Sequence, residues 1–406
     1  MHPKQIINKI NYLEYLKNIF LNKKIYFNYS DYFQELFRII DLKRQYLFLG
    51  RARSGIYLAV KLSIIKTKRK KILIAPYTIP EIISLIKLAG GEPVYLDFEK
   101  KSFNIDMTTL SKIFENENKN YAALILTHYI KPDINIKRIK ELCLNFNICL
   151  IEDCAINFSS KYDGDQVGNF GDFAIYSFSA FKFINFFYGG LITFNSEYNN
   201  QIKLITNDWK LLKNTDYFSK FIETVKFDFL TNKFIFNYFS KYLIKFLQKK
   251  NSVIEKNSYL KKKFKIDQSY FSLPSYMALK EIKYKSSSYY QNLIKRREIS
   301  KIYNSYLKRY SIPEVEDAEI NNNDYLHYLI IAKSNEHRNF LKKKLLNEGF
   351  DIGKFFYVNC SKFFDKKINL KNIDEIENKI ITLPTHKYIT FEYAKKLAKK
   401  INEIYE

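Results

Sequence analysis

Short apolar runs alternate with amphipathic stretches between residues 48 and 195. Six runs are predicted as strands, at 72–77, 92–98, 122–129, 148–153, 173–179 and 189–195. The stretches 54–65, 80–89 and 136–146 carry apolar residues three and four positions apart, which is typical of helices. Strands that are apolar almost throughout and separated by helices are typical of a parallel sheet covered on both faces. The sequence therefore predicts an α/β domain with a mostly parallel central sheet flanked by helices.

The second half of the chain follows a different pattern. Residues 200–263 are rich in aromatic and basic side chains at helical spacing, so a helical insertion is predicted there. The basic run 261–265 predicts an exposed link. Further on, the pattern predicts a long helix at 276–309, a strand at 325–332 and helices at 335–348 and 391–404. We predict a large domain over 1–265 and a smaller C-terminal α/β domain over 266–406.

Composition excludes several classes of protein. A chain of 406 residues with 47% hydrophobic and 17% aromatic residues is not disordered. Four cysteines without a CxxC pair indicate neither a disulfide scaffold nor a zinc site, and they favour a reduced, cytoplasmic setting. No stretch approaches the roughly 18 apolar residues of a membrane span. The net charge of +25 favours acidic partners such as anionic lipid or phosphorylated molecules, whereas nucleic acid is disfavoured because no recognition motif is present.

Glycine is scarce and unevenly placed. Seven of the eleven glycines lie between residues 90 and 190, which indicates turns or close backbone approaches in that region. Gly55 also stands in the string RARSGI (51–56), where a helix is predicted to begin at Ser54. Exposed amides at a helix N-terminus favour a phosphate, so this turn is a candidate anion site. The alternative is that Ser54 is only the N-cap of the helix.

Two carboxylates end the apolar strand ICLIED (148–153). In an open α/β sheet, ligands bind at the carboxyl ends of the strands, so Glu152 and Asp153 are candidates for function. A carboxylate in that position can keep a pyridine nitrogen protonated and so maintain the ring as an electron sink. The alternative for Asp153 is an N-cap of a following helix.

Lys182 follows Ser177 by five residues in the mostly apolar string SFSAFKFI. Burial among apolar side chains lowers the pKa of a lysine and prepares its amine for Schiff-base chemistry. The alternative is a surface lysine whose ammonium group reaches solvent.

The order and spacing of these motifs resemble a known family, the DegT/DnrJ/StrS group of pyridoxal-phosphate (PLP) sugar aminotransferases. The matching strings are RARSGIYLAV, APYTIPEIISLIKLAGGEPVYLDF, LTHY, ICLIEDCA, GDFAIYSFSAFK with the later YGG, and ITLPTHKYIT. The resemblance covers residues 48–195 well and 276–406 more loosely. It implies the type I fold of PLP-dependent transferases.

The resemblance also implies a role for individual residues. Lys182 would join PLP as a Schiff base and shuttle a proton, and Asp153 would pair with the pyridine nitrogen. Ser177 and the turn residues Ser54, Gly55 and Ile56 would hold the phosphate, and Ile79 would contact the ring. The implied activity is transfer of an amino group, from glutamate, to a keto group of a nucleotide-linked deoxysugar for polysaccharide or glycan biosynthesis. The implied assembly is a homodimer with shared active sites, and no metal is implied.

The chain departs from the family pattern at three places. Ile156 stands where the family has glutamine, Ile79 stands where an aromatic residue is frequent, and 269–282 has no clear counterpart of the Asn and Arg loop. Two rival functions stay open. One is a PLP-dependent sugar dehydratase, although that branch of the family has histidine in place of Lys182. The other is a catalytically silent regulator or membrane-associated protein. The insertion 200–263 would either lie on an anionic membrane or pack on the dimer or over the site.

Overall fold

The structure is a computed structural model. It describes residues 29–117, 120–180, 182–230, 233–235, 238–239, 242, 266–310, 321–350, 352–353, 357–365 and 368–405. The predicted link at 261–265 lies outside these residues, as do most positions of the insertion beyond residue 230.

Fifteen strands are present in the described residues. In chain order they are β1 (Gln45–Leu49), β2 (Lys71–Ile74), β3 (Tyr77–Thr78), β4 (Glu92–Tyr95), β5 (Tyr121–Thr127), β6 (Cys149–Asp153), β7 (Lys161–Tyr162), β8 (Asp165–Gln166), β9 (Phe173–Ser177), β10 (Gly190–Phe194), β11 (Lys210–Leu211), β12 (Ser272–Leu273), β13 (His327–Ile331), β14 (Val358–Asn359) and β15 (Ile380–Pro384).

The α-helices of the same residues complete the element order. They are α1 (Tyr29–Tyr32), α2 (Gln34–Ile39), α3 (Arg53–Thr67), α4 (Pro80–Leu88), α5 (Met107–Glu117), α6 (Ile136–Asn145), α7 (Asn199–Thr206), α8 (Asn214–Leu230), α9 (Lys233–Ile235), α10 (Tyr276–Ser286), α11 (Tyr289–Leu307), α12 (Asn335–Asn347), α13 (Ser361–Phe364), α14 (Lys371–Lys379) and α15 (Phe391–Tyr405). Among the described residues, none of the helices has both the length and the apolar character that crossing a bilayer requires.

Seven strands form the central sheet in the order β1-β10-β9-β6-β5-β2-β4. The strands from β9 to β4 are parallel to one another. At one edge, β10 pairs antiparallel with β9, and β1 pairs antiparallel with β10. The predicted α/β class with a mostly parallel sheet is therefore confirmed.

Helices cover both faces of the sheet, and the strands are apolar almost throughout for that reason. Side chains alternate across a strand, so Ile72 and Ile74 join one buried cluster together with Leu58 of α3. Leu73 points the other way and joins a second cluster with Leu110 of α5 and Ile139 of α6. Every residue of β5, β6, β9 and β10 is buried.

Two predicted elements differ clearly from the structure in their bounds, and one strand was not predicted. The strand predicted at 72–77 ends at Ile74, and β3 pairs with β14 instead of extending it. The helix predicted at 276–309 is two helices, α10 and α11. Three consecutive serines stand at the break, and the hydroxyl groups of Ser286 and Ser287 donate to backbone carbonyls one turn back, both at 2.7 Å. The strand β1 was not predicted, because it lies at the sheet edge and is only partly buried.

The C-terminal part of the chain forms a smaller α/β unit. Its two strands, β13 and β15, pair antiparallel over five residues, and α11, α12 and α15 pack around them. The helix α10 packs elsewhere, since Leu279 and Ile282 lie in a cluster with Phe178 of the large-sheet region. The domain boundary at 265/266 stays a prediction.

Candidate active site

Two neighbouring parallel strands end side by side at the carboxyl edge of the sheet. Asp153 is the last residue of β6 and Ser177 is the last residue of β9. Lys182 lies in the loop after β9, whose ends are joined by a hydrogen bond from the Phe178 amide to the Gly189 carbonyl (3.0 Å). All three side chains are buried, with 5–8% of their residue surface exposed. The structure thus brings the predicted acid, hydroxyl and amine to one edge of the sheet.

The environment of Lys182 disfavours its ammonium form. Burial is the largest cause, the nearby charge of Arg53 adds to it, and the charge of Asp153 opposes both, so that the pKa falls to about 7. Because only 8% of the residue surface of Lys182 is exposed, the alternative of a lysine whose ammonium group reaches solvent is wrong. Near neutral pH a large share of Lys182 is the neutral amine, which is the nucleophilic form.

Asp153 and Lys182 share one buried region. Burial raises the pKa of Asp153, whereas the Ala155 amide, which donates to Oδ1 (3.0 Å), and the charges of Lys182 and His128 lower it; the net direction is upward. Each group thus shifts the pKa of the other. Asp153 is followed by a turn and then by β7, so the alternative of a helix N-cap is wrong.

Glu152 points to the opposite face of the sheet from Asp153, since side chains alternate along β6. It is fully buried, and its two oxygens accept hydrogen bonds from the amides of Gly168 (2.7 Å), Phe170 (2.8 Å) and Gly171 (2.7 Å), with His128 Nε2 at 3.0 Å. Burial alone would raise the pKa of Glu152, but His128 and these amides outweigh it and the pKa is lowered. Of the two acids predicted at this strand end, Glu152 therefore holds the 168–171 turn in place.

His128, Glu152 and Cys154 offer one ligand atom each, all within 4.8 Å of one another. Both oxygens of Glu152 already accept hydrogen bonds. Burial raises the pKa of the Cys154 thiol well above its usual value, which keeps the sulfur protonated. The chemistry of this group favours a hydrogen-bonded core over a metal site.

The Glu152→Gln variant is expected to lower the free energy of unfolding by about 2–3 kcal/mol. An amide has one acceptor oxygen in place of two. Its NH₂ group would face backbone N–H donors that form hydrogen bonds with the carboxylate in the wild type. Urea unfolding followed by circular dichroism measures the change. Glu141→Gln, at an exposed position of α6, is the matched control and should stay within about 0.5 kcal/mol of the wild type. Equal losses in the two variants would contradict the assigned role of Glu152.

The helix in the RARSGI string begins one residue earlier than predicted, because α3 starts at Arg53 with Ala52 as its N-cap. Ser54 is not the N-cap; its buried hydroxyl donates to the Tyr270 carbonyl. The amides of Ser54 and Gly55 donate to the carbonyls of Arg51 (3.1 Å) and Ala52 (2.9 Å). These two amides therefore already donate to carbonyls within the turn. An anion that binds there would be a second acceptor for the same two N–H groups.

Glycines bring the three sequence-distant motifs of the site into contact. A Cβ on Gly190 would lie 2.3 Å from Ala52 Cα, so only glycine permits the start of β10 to touch the start of α3. Gly190 is also the register partner of Ser177. A Cβ on Gly55 would lie 2.9 Å from a side-chain carbon of Ile175 in β9. Ser177 and the Ser54–Gly55 turn are thereby held next to each other.

A segment more than 200 residues away covers this turn, which the sequence did not predict. The Gly50 amide donates to the Ser272 carbonyl (2.8 Å), and Arg51 donates to Ser269 Oγ (2.6 Å). Arg53 bonds the Tyr270 hydroxyl (3.2 Å) and forms an ion pair with Glu81 (3.1 Å). The 269–282 stretch, which lacks the family's Asn and Arg loop, therefore contacts the turn of its own chain.

Aromatic side chains stand beside Asp153. The Tyr129 hydroxyl donates to the Tyr77 carbonyl (2.7 Å), and the Tyr357 ring lies 5.7 Å from the Tyr129 ring and 6.1 Å from that of Tyr77. Burial raises the pKa of Tyr357, and the charge of Asp153 adds to the effect. Ile79 is the N-cap of α4, two residues from the ion-paired Glu81. Neither Tyr357 nor Tyr129 was predicted as a site residue from the sequence. Tyr129 could have been found, because it is the last residue of the LTHY string (126–129).

The C-terminal unit contributes imidazole and guanidinium groups. Burial lowers the pKa of His327 to about 3, and the charges of Arg296, His386 and Lys182 act in the same direction. Arg296 is held by the Leu326 carbonyl (3.0 Å) and by Thr385 Oγ1 (3.0 Å), next to the ITLPTHKYIT motif. His327, which pairs with Pro384 of that motif, thus lies within electrostatic reach of Lys182.

Comparison with known proteins yields relatives in sequence and in structure. The chain is 28% identical over 127 residues to GDP-perosamine synthase of Escherichia coli O157:H7 (31% of this chain, 34% of the relative). It is also 28% identical over 158 residues to UDP-4-amino-4,6-dideoxy-N-acetyl-beta-L-altrosamine transaminase of Campylobacter jejuni (39% and 41%). The matches therefore span less than half the length of these curated relatives.

Solved structures share the fold over the whole chain. Helicobacter pylori PseC, an aminotransferase involved in the biosynthesis of pseudoaminic acid, matches with a TM-score of 0.71 at 16% identity, covering 100% of this chain and 99% of that one. The sugar aminotransferase CalS13 from Micromonospora echinospora matches with a TM-score of 0.71 at 14% identity, covering 99% of each chain. At this identity the likeness shows the fold alone, and that fold is the predicted type I fold.

A family model matches residues 29–219 and 288–402, which include the RARSGI turn, Asp153, Lys182 and the C-terminal motif. These two stretches make up more than half of the chain. The chain belongs to the DegT/DnrJ/EryC1/StrS aminotransferase family.

Proposed function

We propose that this protein is a PLP-dependent aminotransferase that moves an amino group, from glutamate, to the keto group of a nucleotide-linked deoxysugar for surface polysaccharide or glycan biosynthesis. The observation that carries the proposal is the buried amine of Lys182, with a pKa of about 7, in the same buried region as the Asp153 carboxylate. Membership of the family supports the reaction class. The names of the two sequence relatives support the substrate class.

The residues at the carboxyl edge of the sheet fit PLP group by group. Lys182 offers an amine for the aldehyde, and Asp153 offers a carboxylate for the pyridine nitrogen. The Ser177 hydroxyl and the amides of Gly55 and Ile56 would hold the phosphate. Ile79 would contact the ring. Ser54, whose hydroxyl donates to the Tyr270 carbonyl, would act by fixing the turn.

When bound, PLP supplies a ring that withdraws electrons from the carbon bearing the substrate amine. The chain supplies the proton chemistry. Asp153 would pair with the ring nitrogen and keep it protonated, which would preserve that withdrawal. Lys182 Nζ accepts a proton and returns it to a neighbouring atom, and a pKa near 7 allows transfer in both directions. The hydrogen bond from the Phe178 amide to the Gly189 carbonyl joins the ends of the loop that carries this lysine.

Donor-induced bleaching tests the proposal. Protein purified with PLP should be yellow, and glutamate should remove the colour as the amino group passes to the cofactor; an added nucleotide-linked ketosugar should restore it. Mass spectrometry of the sugar should show an amine in place of the keto oxygen. Colour without any response to amino donors would favour the dehydratase, and protein that stays colourless with added PLP would favour the silent regulator.

The proposal also includes a homodimer with active sites shared between subunits and a cytoplasmic location. The homodimer rests on the family resemblance. The location rests on the cysteines, since Cys143, Cys149, Cys154 and Cys360 are all free and buried. Peripheral membrane contact through residues 200–263 is a separate proposal, because it rests on surface chemistry and not on the active site.

A further inference from the structure

The helix α8 has two apolar faces, of which only one packs on the protein. Tyr217 and Phe221 point inward, with 0% and 7% of their surface exposed, and lie in a buried cluster with Phe186, Phe187 and Met277. The Tyr217 ring lies 5.5 Å from that of Phe186. This packing fixes the orientation of α8 next to the loop that carries Lys182.

The second face of α8 is exposed. It consists of Phe218 (47% exposed), Ile222 (37%), Val225 (36%) and Phe229 (63%), which we call the outer face. These residues are four, three and four positions apart, so they form one stripe along the helix. Soluble proteins rarely leave a continuous apolar stripe of this kind without a binding partner.

Further exposed aromatic residues follow α8 in the sequence. The described aromatic residues that follow have more than half of their surface exposed: Phe234 (71%), Tyr238 (72%), Phe239 (59%) and Tyr242 (57%). Aromatic rings with this degree of exposure are typical of segments that enter the interfacial region of a bilayer.

The charge of the segment identifies the partner. Residues 213–250 contain eight lysines against three acidic residues, a net charge of +5. On the helical circuit of α8, Lys226 lies beside the outer face, and both it and Lys213 are exposed. An apolar stripe flanked by lysines complements an anionic lipid bilayer, whose acyl region is apolar and whose headgroups are negatively charged. A second copy fits less well, because a two-fold contact would bring two segments of net charge +5 against each other.

We propose that the outer face of α8, with the aromatic residues that follow it, docks this protein on an anionic lipid surface. The stripe enters the acyl boundary and the lysines contact the headgroups. Because α8 packs on the loop after Lys182, docking would hold the active-site region close to the membrane surface. The proposal does not depend on the identity of the reaction.

Vesicle sedimentation with the full chain tests the proposal. The wild type should sediment with vesicles of phosphatidylcholine and phosphatidylglycerol and stay in solution with phosphatidylcholine alone. The double variant Phe218→Gln, Phe229→Gln should bind the anionic vesicles at least about tenfold more weakly. The matched control is Leu144→Gln, Tyr284→Gln, which changes two side chains that are 68% and 75% exposed on other helices and should bind like the wild type.

A charge variant separates the two parts of the contact. Lys213→Glu, Lys226→Glu keeps the apolar stripe and should weaken binding to the anionic vesicles, with a smaller further loss on adding salt. Wild-type binding that is absent, or equal in the outer-face variant, would overturn the proposal. So would a lower sedimentation coefficient of the outer-face variant without lipid, which would make a second copy the occupant. Circular dichroism confirms that each variant is folded.

Discussion

Replacing Lys182 by alanine is expected to reduce kcat for amino transfer by at least about a thousandfold, because the variant loses both the amine for the cofactor and the group that moves the proton. Lys182→Arg keeps a positive charge and should lose as much, since a guanidinium group is neither nucleophilic nor able to give up its proton near pH 7. Steady-state kinetics with glutamate and a ketosugar measure the loss.

The chain offers an internal control for this prediction. Lys285 is a second lysine with little exposed surface (15% of its side chain), and burial lowers its pKa to about 8. Borohydride reduction of the PLP-loaded wild type should fix the cofactor on the peptide that contains Lys182 and not on the one that contains Lys285. Label on Lys285, or activity that survives in Lys182→Ala, would refute the assignment.

The pH dependence of cofactor capture follows from the same residue. The pKa of Lys182 is lowered from 10.5 to about 7, so the neutral amine predominates above pH 7 and the ammonium form below it. The rate at which the cofactor-free protein takes up PLP should therefore rise about tenfold per pH unit below the midpoint and level off above it. A rate that continues to rise towards pH 10 would show an ordinary, exposed lysine.

The sequence predicted the parallel part of the sheet well because those strands are buried on both faces. Nearly continuous apolar runs such as β5 and β6 are stable only when both faces of the strand are buried, at the centre of a layered fold. The edge strand β1 lacks that signal, because its first residue is exposed and the next two are half-buried. The break between α10 and α11 was not predicted, because the apolar spacing continues on both sides of Ser286–Ser288. At the break, serine side chains form hydrogen bonds to the backbone, and the apolar pattern does not record them.

The sequence predicted the reactive side chains of the site but not the residues that surround them. Lys182, Asp153 and Ser177 could be named because strand ends are where α/β proteins place ligands. The neighbours that tune them come from distant parts of the chain: Arg53 lies at the start of α3, and Tyr357 lies near the other end of the sequence. Ser54 shows the limit most clearly, since its hydroxyl partner is the carbonyl of Tyr270. Contacts across such separations depend on packing that no local pattern records.

Asp153→Asn is the second variant with a large expected effect. The amide keeps the size of the side chain but loses the negative charge that would hold a proton on the ring nitrogen, so kcat should fall at least about a hundredfold. The same substitution removes a charge that raises the pKa of Lys182. The midpoint for PLP uptake by the cofactor-free protein should therefore move below pH 7, while turnover falls.

These opposite effects distinguish a role in the site from simple loss of structure. A destabilised protein would lose uptake and turnover together, whereas the predicted variant takes up PLP at lower pH and yet transfers amino groups slowly. Asp133→Asn is the matched control, because Asp133 is also buried (4% exposed) but is not among the charges that shift Lys182. It should leave the uptake midpoint in place. An unchanged midpoint in Asp153→Asn would mean that the carboxylate and the amine do not share one electrostatic environment, and the assignment of both residues would then fail.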